Sequence, residues 1–232
     1  MIEINKLTKK FGVYTAVNIP ELKIEKGEIV GLIGNNGAGK TTTFRLMLDL
    51  LEADRGNVLM KGKDVSKDEE WKTYTGSFID SNFLIDFFTP DEYFGFIGKV
   101  YKLKNNEIKE RVAMFEKFAS GEILNQKKYI RHFSSGNRQK IGIIAAMMIH
   151  PEILILDEPF NFLDPSSQIE MKHLLQSLNA QCGTTIILSS HNLNYVSDVS
   201  SRILLMERGD IIQDVKNNTP ENIAAIFRYF EK

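Results

Sequence analysis

The spacing of apolar positions changes along the chain, and each change predicts an element. In residues 1–30, Ile2 and Ile4 alternate with polar neighbours, as do Leu22 and Ile24 before a turn at Lys26-Gly27. That period of two predicts antiparallel strands with one buried face. Glu28-Ile29-Val30-Gly31-Leu32-Ile33 predicts a buried strand. From Thr41 to Leu51 the period turns helical, with Phe44, Met47, Leu48 and Leu51 on one stripe. Gly56 to Gly62 predicts a short strand around Val58 and Met60, and Ser77-Phe78-Ile79 another.

From about Leu84 to Arg131 the texture is helical. Pro90 opens a helix with Tyr93, Phe94, Ile97 and Tyr101 on one side. Asn106 caps a second, whose apolar face is Ile108, Val112, Phe115 and Phe118. A third runs from about Gly136 to His150, with Ile141, Ile144, Ala145 and Met148 apolar, and Pro151 stops it. Ile153-Leu154-Ile155-Leu156 and Thr184-Thr185-Ile186-Ile187-Leu188 read as strands buried on both faces. Between them, Asp164-Pro165 supplies an N-cap and first-turn proline for a helix through Leu178. Residues 203–206 and 210–213 form a hairpin about Arg208-Gly209, and Pro220 to Phe230 a closing helix. This alternation predicts one α/β domain over residues 1–232 with an inserted helical lobe at roughly 84–150.

Composition narrows the classes. A chain of 232 residues suits one large domain. Twenty-nine basic residues against 30 acidic ones leave no basic field for nucleic acid. No apolar run is long enough to span a membrane, and Met1-Ile2-Glu3-Ile4-Asn5 does not open a secretion signal. The single cysteine, Cys182, makes no internal disulfide. The expectation is a soluble protein of the reducing cytoplasm.

The chemistry concentrates after the buried strands. Gly34-Asn35-Asn36-Gly37-Ala38-Gly39-Lys40-Thr41 fits the phosphate-loop pattern, between a strand and the helix that Thr41 and Thr42 begin. Glycines let several backbone N–H groups face one hollow, and the helix N-terminus adds partial positive charge. Lys40 reaches terminal phosphates and the Thr41 hydroxyl is placed for Mg²⁺. The strand 153–156 ends in Asp157-Glu158, at the sheet edge where ligands bind in open α/β folds. Asp157 suits a Mg²⁺ holder acting through water, and Glu158 a general base for an attacking water. His191 follows the next buried strand and could donate to a γ-phosphate.

In this order, these segments resemble the ATP-binding cassette of ABC transporters, most nearly those of bacterial exporters. The resemblance implies a nucleotide-hydrolase core with a mostly parallel sheet, an N-terminal antiparallel subdomain and the helical lobe. It extends from Phe11-Gly12, the aromatic-glycine pair that stacks adenine, to the hairpin after His191. Phe133-Ser134-Ser135-Gly136-Asn137 stands at the family's Leu-Ser-Gly-Gly-Gln signature, and Asp164 at the aspartate loop of the dimer seam. Phe133, Ser135 and Asn137 depart from the signature, while Ser134 and Gly136 keep to it. A side chain at Ser135 either crowds the approaching nucleotide or adds a hydrogen bond. Asp80 stands where the family has a glutamine; it is shorter but remains an oxygen ligand for Mg²⁺.

The implied function is hydrolysis of Mg-ATP held between the phosphate loop of one subunit and Ser134, Ser135 and Gly136 of a second, identical or not. Export would be driven through a separate integral membrane permease, with this chain peripheral on the membrane's inner face. Phe83-Leu84-Ile85-Asp86-Phe87-Phe88 is either the groove that receives the permease or a seam packing the lobe on the core. Two alternatives are an accessory cassette without a permease, as in iron–sulfur assembly, and a subunit that binds ATP with little turnover.

Overall fold

A computed structural model describes residues 1–216 together with Ala224 and Ile226. The helix expected over 220–230 lies outside the described residues apart from those two. Two sheets and two groups of helices form successive layers. Strands β1 (Ile2–Phe11), β2 (Tyr14–Ile24), β4 (Arg55–Met60) and β5 (Lys63–Asp64) make an antiparallel sheet in the order β2-β1-β4-β5. The second sheet takes β3 (Ile29–Ile33), β6 (Thr75–Phe78), β7 (Ile153–Leu156), β8 (Thr185–Ser190), β9 (Arg202–Glu207) and β10 (Asp210–Lys216). Its order is β10-β9-β3-β8-β7-β6, parallel except for β10.

The continuous apolar runs are explained by what lies on either side of this second sheet. Val30, Leu32, Ile155 and Ile187 point to one core, shared with the antiparallel sheet and with Phe44 and Met47 of helix α1 (Lys40–Met47). Ile29, Ile33, Leu154, Leu156, Ile186 and Leu188 point to the other. That second core holds helices α5 (Ser135–Met147) and α6 (Pro165–Cys182) and the lobe. Period-two alternation thus persists, with both faces apolar because both are covered. The only tryptophan, Trp71, lies in the first core, its indole N–H donating to the Val65 carbonyl at 3.0 Å.

Within the span 84–150 expected for the lobe lie α2 (Pro90–Val100), α3 (Asn105–Ala113) and α4 (Glu116–Ala119), followed by α5. Thr89 and Glu92 form a capping box on α2, with the Pro90 ring in its first turn. The expected single helix from Asn106 is divided in two. It starts at Asn105 because the Glu107 carboxylate accepts the Lys104 N–H at 2.8 Å. A turn at Met114 and Phe115 then lets both Phe115 and Phe118 bury. Helix α1 stops at Met47, short of Leu51, because Asp49 turns left-handed at φ 50° and Leu50 N–H returns to the Arg45 carbonyl. A short helix α7 (Leu193–Ser197), capped by Asn192, follows β8 where sequence periodicity had no room to show it.

Candidate functional site

The phosphate-loop pattern leaves β3 and enters α1, as strand, loop and helix. Gly39 sits at φ 112°, and a Cβ there would lie 2.3 Å from the Ala16 carbonyl oxygen, so no other residue fits the turn. Gly39 is also the N-cap of α1 and supplies no side-chain hydrogen bond, so first-turn amides remain for a ligand. Asn35, Asn36 and Gly37 are exposed along the loop, while Gly34 and Ala38 anchor it inward.

The acids meet this loop from the neighbouring strands. Asp157 leaves β7 beside Thr41, whose hydroxyl donates to Asp157 Oδ2 at 2.5 Å. The other oxygen, Oδ1, accepts from Ser189 Oγ on β8. Burial pushes the Asp157 carboxyl above the usual carboxylate range, against the pull of the Ser189 and Thr41 hydroxyls. Two oxygen donors held in contact at a sheet edge are a donor set that fits Mg²⁺. Glu158 is next, with its backbone left-handed at φ 47°. Its Oε1 lies 3.3 Å from Lys40 Nζ, and its Oε2 2.9 Å from His191 Nδ1. Lys40 also donates to the Gly34 carbonyl at 2.7 Å. Lys40, Thr41, Asp157, Glu158 and His191, distant in sequence, are therefore one cluster.

Phe11 is 53% exposed at the end of β1, where it pairs with Tyr14 across the β1–β2 hairpin. Tyr14 donates from its hydroxyl to the Gly37 carbonyl at 2.9 Å, which sets the hairpin tip beside the phosphate loop. Asp80 caps its own turn, accepting from Asn82 N–H at 2.9 Å. Among the described residues, no three His, Cys, Asp or Glu side chains converge as a metal cage.

Ser134, Ser135 and Gly136 belong to a separate hollow of about 600 Å³, lined also by Lys140, Phe162 and Asp164. Ser134 is the N-cap of α5 and accepts from Asn137 N–H at 3.2 Å. The Asn137 carboxamide donates to Glu122 at 2.8 Å. Asp164 caps α6, and its bonds from Ser166 and Ser167 hold its carboxyl well below the usual range. Ser189, Tyr14, Gln139 and Lys140 were not assigned from the sequence. Only Ser189 carried a signal, as a polar residue directly after an apolar strand.

The stretch 83–88 divides between its two readings. Leu84 is buried and Phe88 packs on the lobe core, whereas Phe83 and Phe87 are 60% and 65% exposed. Beside Phe83 a groove of about 280 Å³ runs between β6 and the lobe, lined also by Tyr93, Ile97 and Tyr101, while the Phe87 ring centre lies 4.6 Å from the Arg131 guanidinium.

A family profile described as "ABC transporter" matches residues 17–161. The chain is 35% identical over 221 residues to the bacitracin transport ATP-binding protein BcrA of Enterococcus faecalis, covering 93% of this chain and 69% of that protein. It is 32% identical over 214 residues to the spermidine/putrescine import ATP-binding protein PotA of Haemophilus influenzae, covering 92% of this chain and 57% of that one. An uncharacterized ABC transporter ATP-binding protein of Synechocystis matches at 32% over 192 residues, and there the chain spans 54% of the relative's length. Among solved structures, a dimeric bacterial ABC transporter cassette superimposes with TM-score 0.84 at 23% identity, over 94% of this chain and 100% of that one. A post-hydrolysis form of that cassette bound to ADP and Pi gives TM-score 0.83 at 24% identity, over 94% of this chain and 100% of that one.

Proposed function

The chain belongs to the ABC transporter family and is one of its ATP-binding ATPases, and from that premise we propose that it powers an exporter through a separate membrane permease. The catalytic reading gives each clustered group a task. The amides of the phosphate loop and Lys40 hold the triphosphate. Thr41 and Asp157 hold Mg²⁺, which neutralises developing charge on the phosphates when bound. Glu158 orients and deprotonates the attacking water, and His191 steadies it against the γ-phosphate. Phe11 stacks the adenine. Ser134, Ser135 and Gly136 close over the nucleotide of a second subunit, with Asp164 at the seam.

The observation that carries this reading is the position of Glu158. One carboxylate oxygen faces Lys40 at 3.3 Å and the other faces His191 at 2.9 Å, one residue after the acid bonded to Thr41. A solvated acidic turn would not hold both oxygens of one carboxylate between a buried lysine and a histidine. Measurement of phosphate release from MgATP by the wild type and by Glu158→Gln tests it. The variant is expected to keep nucleotide affinity and lose at least ~100-fold in rate. Turnover that survives the substitution removes Glu158 from the role.

The permease and the direction rest on other grounds. Among the described residues no helix is long and apolar enough to cross a membrane; a separate membrane subunit is supported by relatives named as ATP-binding proteins of transporters. Phe83, exposed at the groove, and Phe87, exposed four residues on, suit its docking. Export is the reading taken from the sequence resemblance; the relatives include one named for bacitracin transport and one named for spermidine/putrescine import. Co-purification with a membrane protein, lost in Phe87→Asp while the fold persists, checks the first. Transport by inverted vesicles checks the second.

A further inference from the structure

One face of α5 reaches a loop that the proposed catalysis depends on. Gly136, Gln139 and Lys140 are spaced i, i+3, i+4 and so share that face. Each meets a different point of the segment 158–164. Gln139 donates from Nε2 to the Glu158 carbonyl at 3.0 Å. Gly136 lies under the Phe162 carbonyl, 2.5 Å from where a Cβ would sit. Lys140, 3% exposed, has its ammonium 3.6 Å from Asp164 Oδ2 and 3.4 Å from Ser120 Oγ.

The segment needs such restraint. Glu158 and Phe162 are both left-handed, at φ 47° and 61°. Bulky or charged side chains rarely adopt that conformation unless their surroundings over-determine it. From the sheet side, Ser189 Oγ accepts the Glu158 N–H at 2.8 Å. From within, Asn161 N–H donates to the Glu158 carbonyl at 3.1 Å. Gln139 brings a second donor to that same carbonyl from α5. A buried amide and a buried ammonium are costly unless used, and here both are turned on one loop.

We infer that Gln139 and Lys140 are positioning residues, which fix Glu158 and Asp164 to the helix that carries Ser134, Ser135 and Gly136. The inference rests on the proposed role of Glu158 for its consequence in catalysis. In a head-to-tail pair, α5 would serve one nucleotide with its N-terminus and the other with its flank. Movement of the helix at one site then displaces the general base at the other.

The test uses the full chain in three variants, Gln139→Met, Lys140→Met and Lys140→Arg, with two readouts. Amide hydrogen exchange over 158–164 is read without nucleotide, and kcat and KM for MgATP are read separately. Exchange at Asn161 and Phe162 is expected to rise at least tenfold in the two methionine variants, with Tm held within a few degrees. Their kcat is expected to fall at least tenfold with KM within twofold, and Lys140→Arg to recover most of it. Unchanged exchange in folded Gln139→Met and Lys140→Met overturns the inference even if the wild type hydrolyses ATP. Raised exchange in a chain whose wild type has no ATPase activity sustains the positioning role and overturns the catalytic reading of Glu158 instead. Loss of KM in parallel with kcat, with no recovery in Lys140→Arg, marks a purely structural role and also overturns it.

Discussion

The carboxyl edge of the parallel sheet and the hollow at the start of α5 are both polar, but they are finished to different degrees. At the sheet edge, Lys40, Asp157 and Glu158 each meet partners at 3.3 Å or less, supplied by the ends of β7 and β8, the phosphate loop and the start of α1. At the hollow, the Lys140 ammonium has its nearest partners at 3.4 and 3.6 Å, and the Phe162 ring beside it is 73% exposed. One region is a self-sufficient grip. The other has the character of half a site, its groups oriented but its surface uncovered. In the proposed head-to-tail pair, the first region would hold a nucleotide and the second would receive the partner's.

Four substitutions would break or sharpen that contrast. Asp157→Asn has the largest expected effect, a loss of at least ~100-fold in MgATP hydrolysis, because it removes charge beside Thr41. It should also raise Tm at neutral pH. The Asp157 carboxyl titrates higher in the fold than in the unfolded chain, so stability falls as pH rises through the unfolded value toward the folded one. The asparagine escapes that loss, and its advantage should vanish below the ordinary carboxylate range. Thermal melts of both proteins from pH 3 to pH 7 check the sign. Gly136→Ala comes second. The added methyl meets the Phe162 carbonyl at 2.5 Å, and hydrolysis should drop about tenfold while affinity for a fluorescent nucleotide is kept. Equal loss of both would mean the hollow and the sheet edge are not separable.

Ser189→Ala acts on the finished region. Its hydroxyl donates to Asp157 and accepts from Glu158 N–H, so its removal should cost about 1–3 kcal/mol in denaturant unfolding. Phe162→Gly acts on the unfinished one and has the smallest effect. It relieves a left-handed aromatic residue that packs little, and should stabilise the monomer by about 1 kcal/mol. A destabilised Phe162→Gly would show that the ring is part of the fold after all.

Legibility in the sequence follows the same contrast. The phosphate loop, Asp157-Glu158 and His191 follow apolar strands, and a buried strand fixes which edge its last residues reach. The fold was legible for the same reason: strand β7 and the centre of β8, Ile186 to Leu188, are apolar runs that need covering on both faces. The lobe was less so. Phe115 and Phe118 continue the stripe of Ile108 and Val112, yet a turn at Met114 divides the helix, and nothing in a periodic stripe encodes where it breaks. Gln139 and Lys140 carried no assignment, in a helix marked only by its apolar positions. Their use is tertiary, since the loop they hold begins nearly twenty residues further on.

The lone tryptophan gives an experimental asymmetry. Trp71 sits in the core beneath the antiparallel sheet, bonded to Val65, while the core shared by α5, α6 and the lobe has none. Indole emission during denaturation will therefore follow one half of the molecule, and tyrosines such as Tyr93 and Tyr101 must report the other. Should the two signals melt at different denaturant concentrations, the halves unfold as separate cooperative units, and a single fluorescence midpoint would describe only one of them.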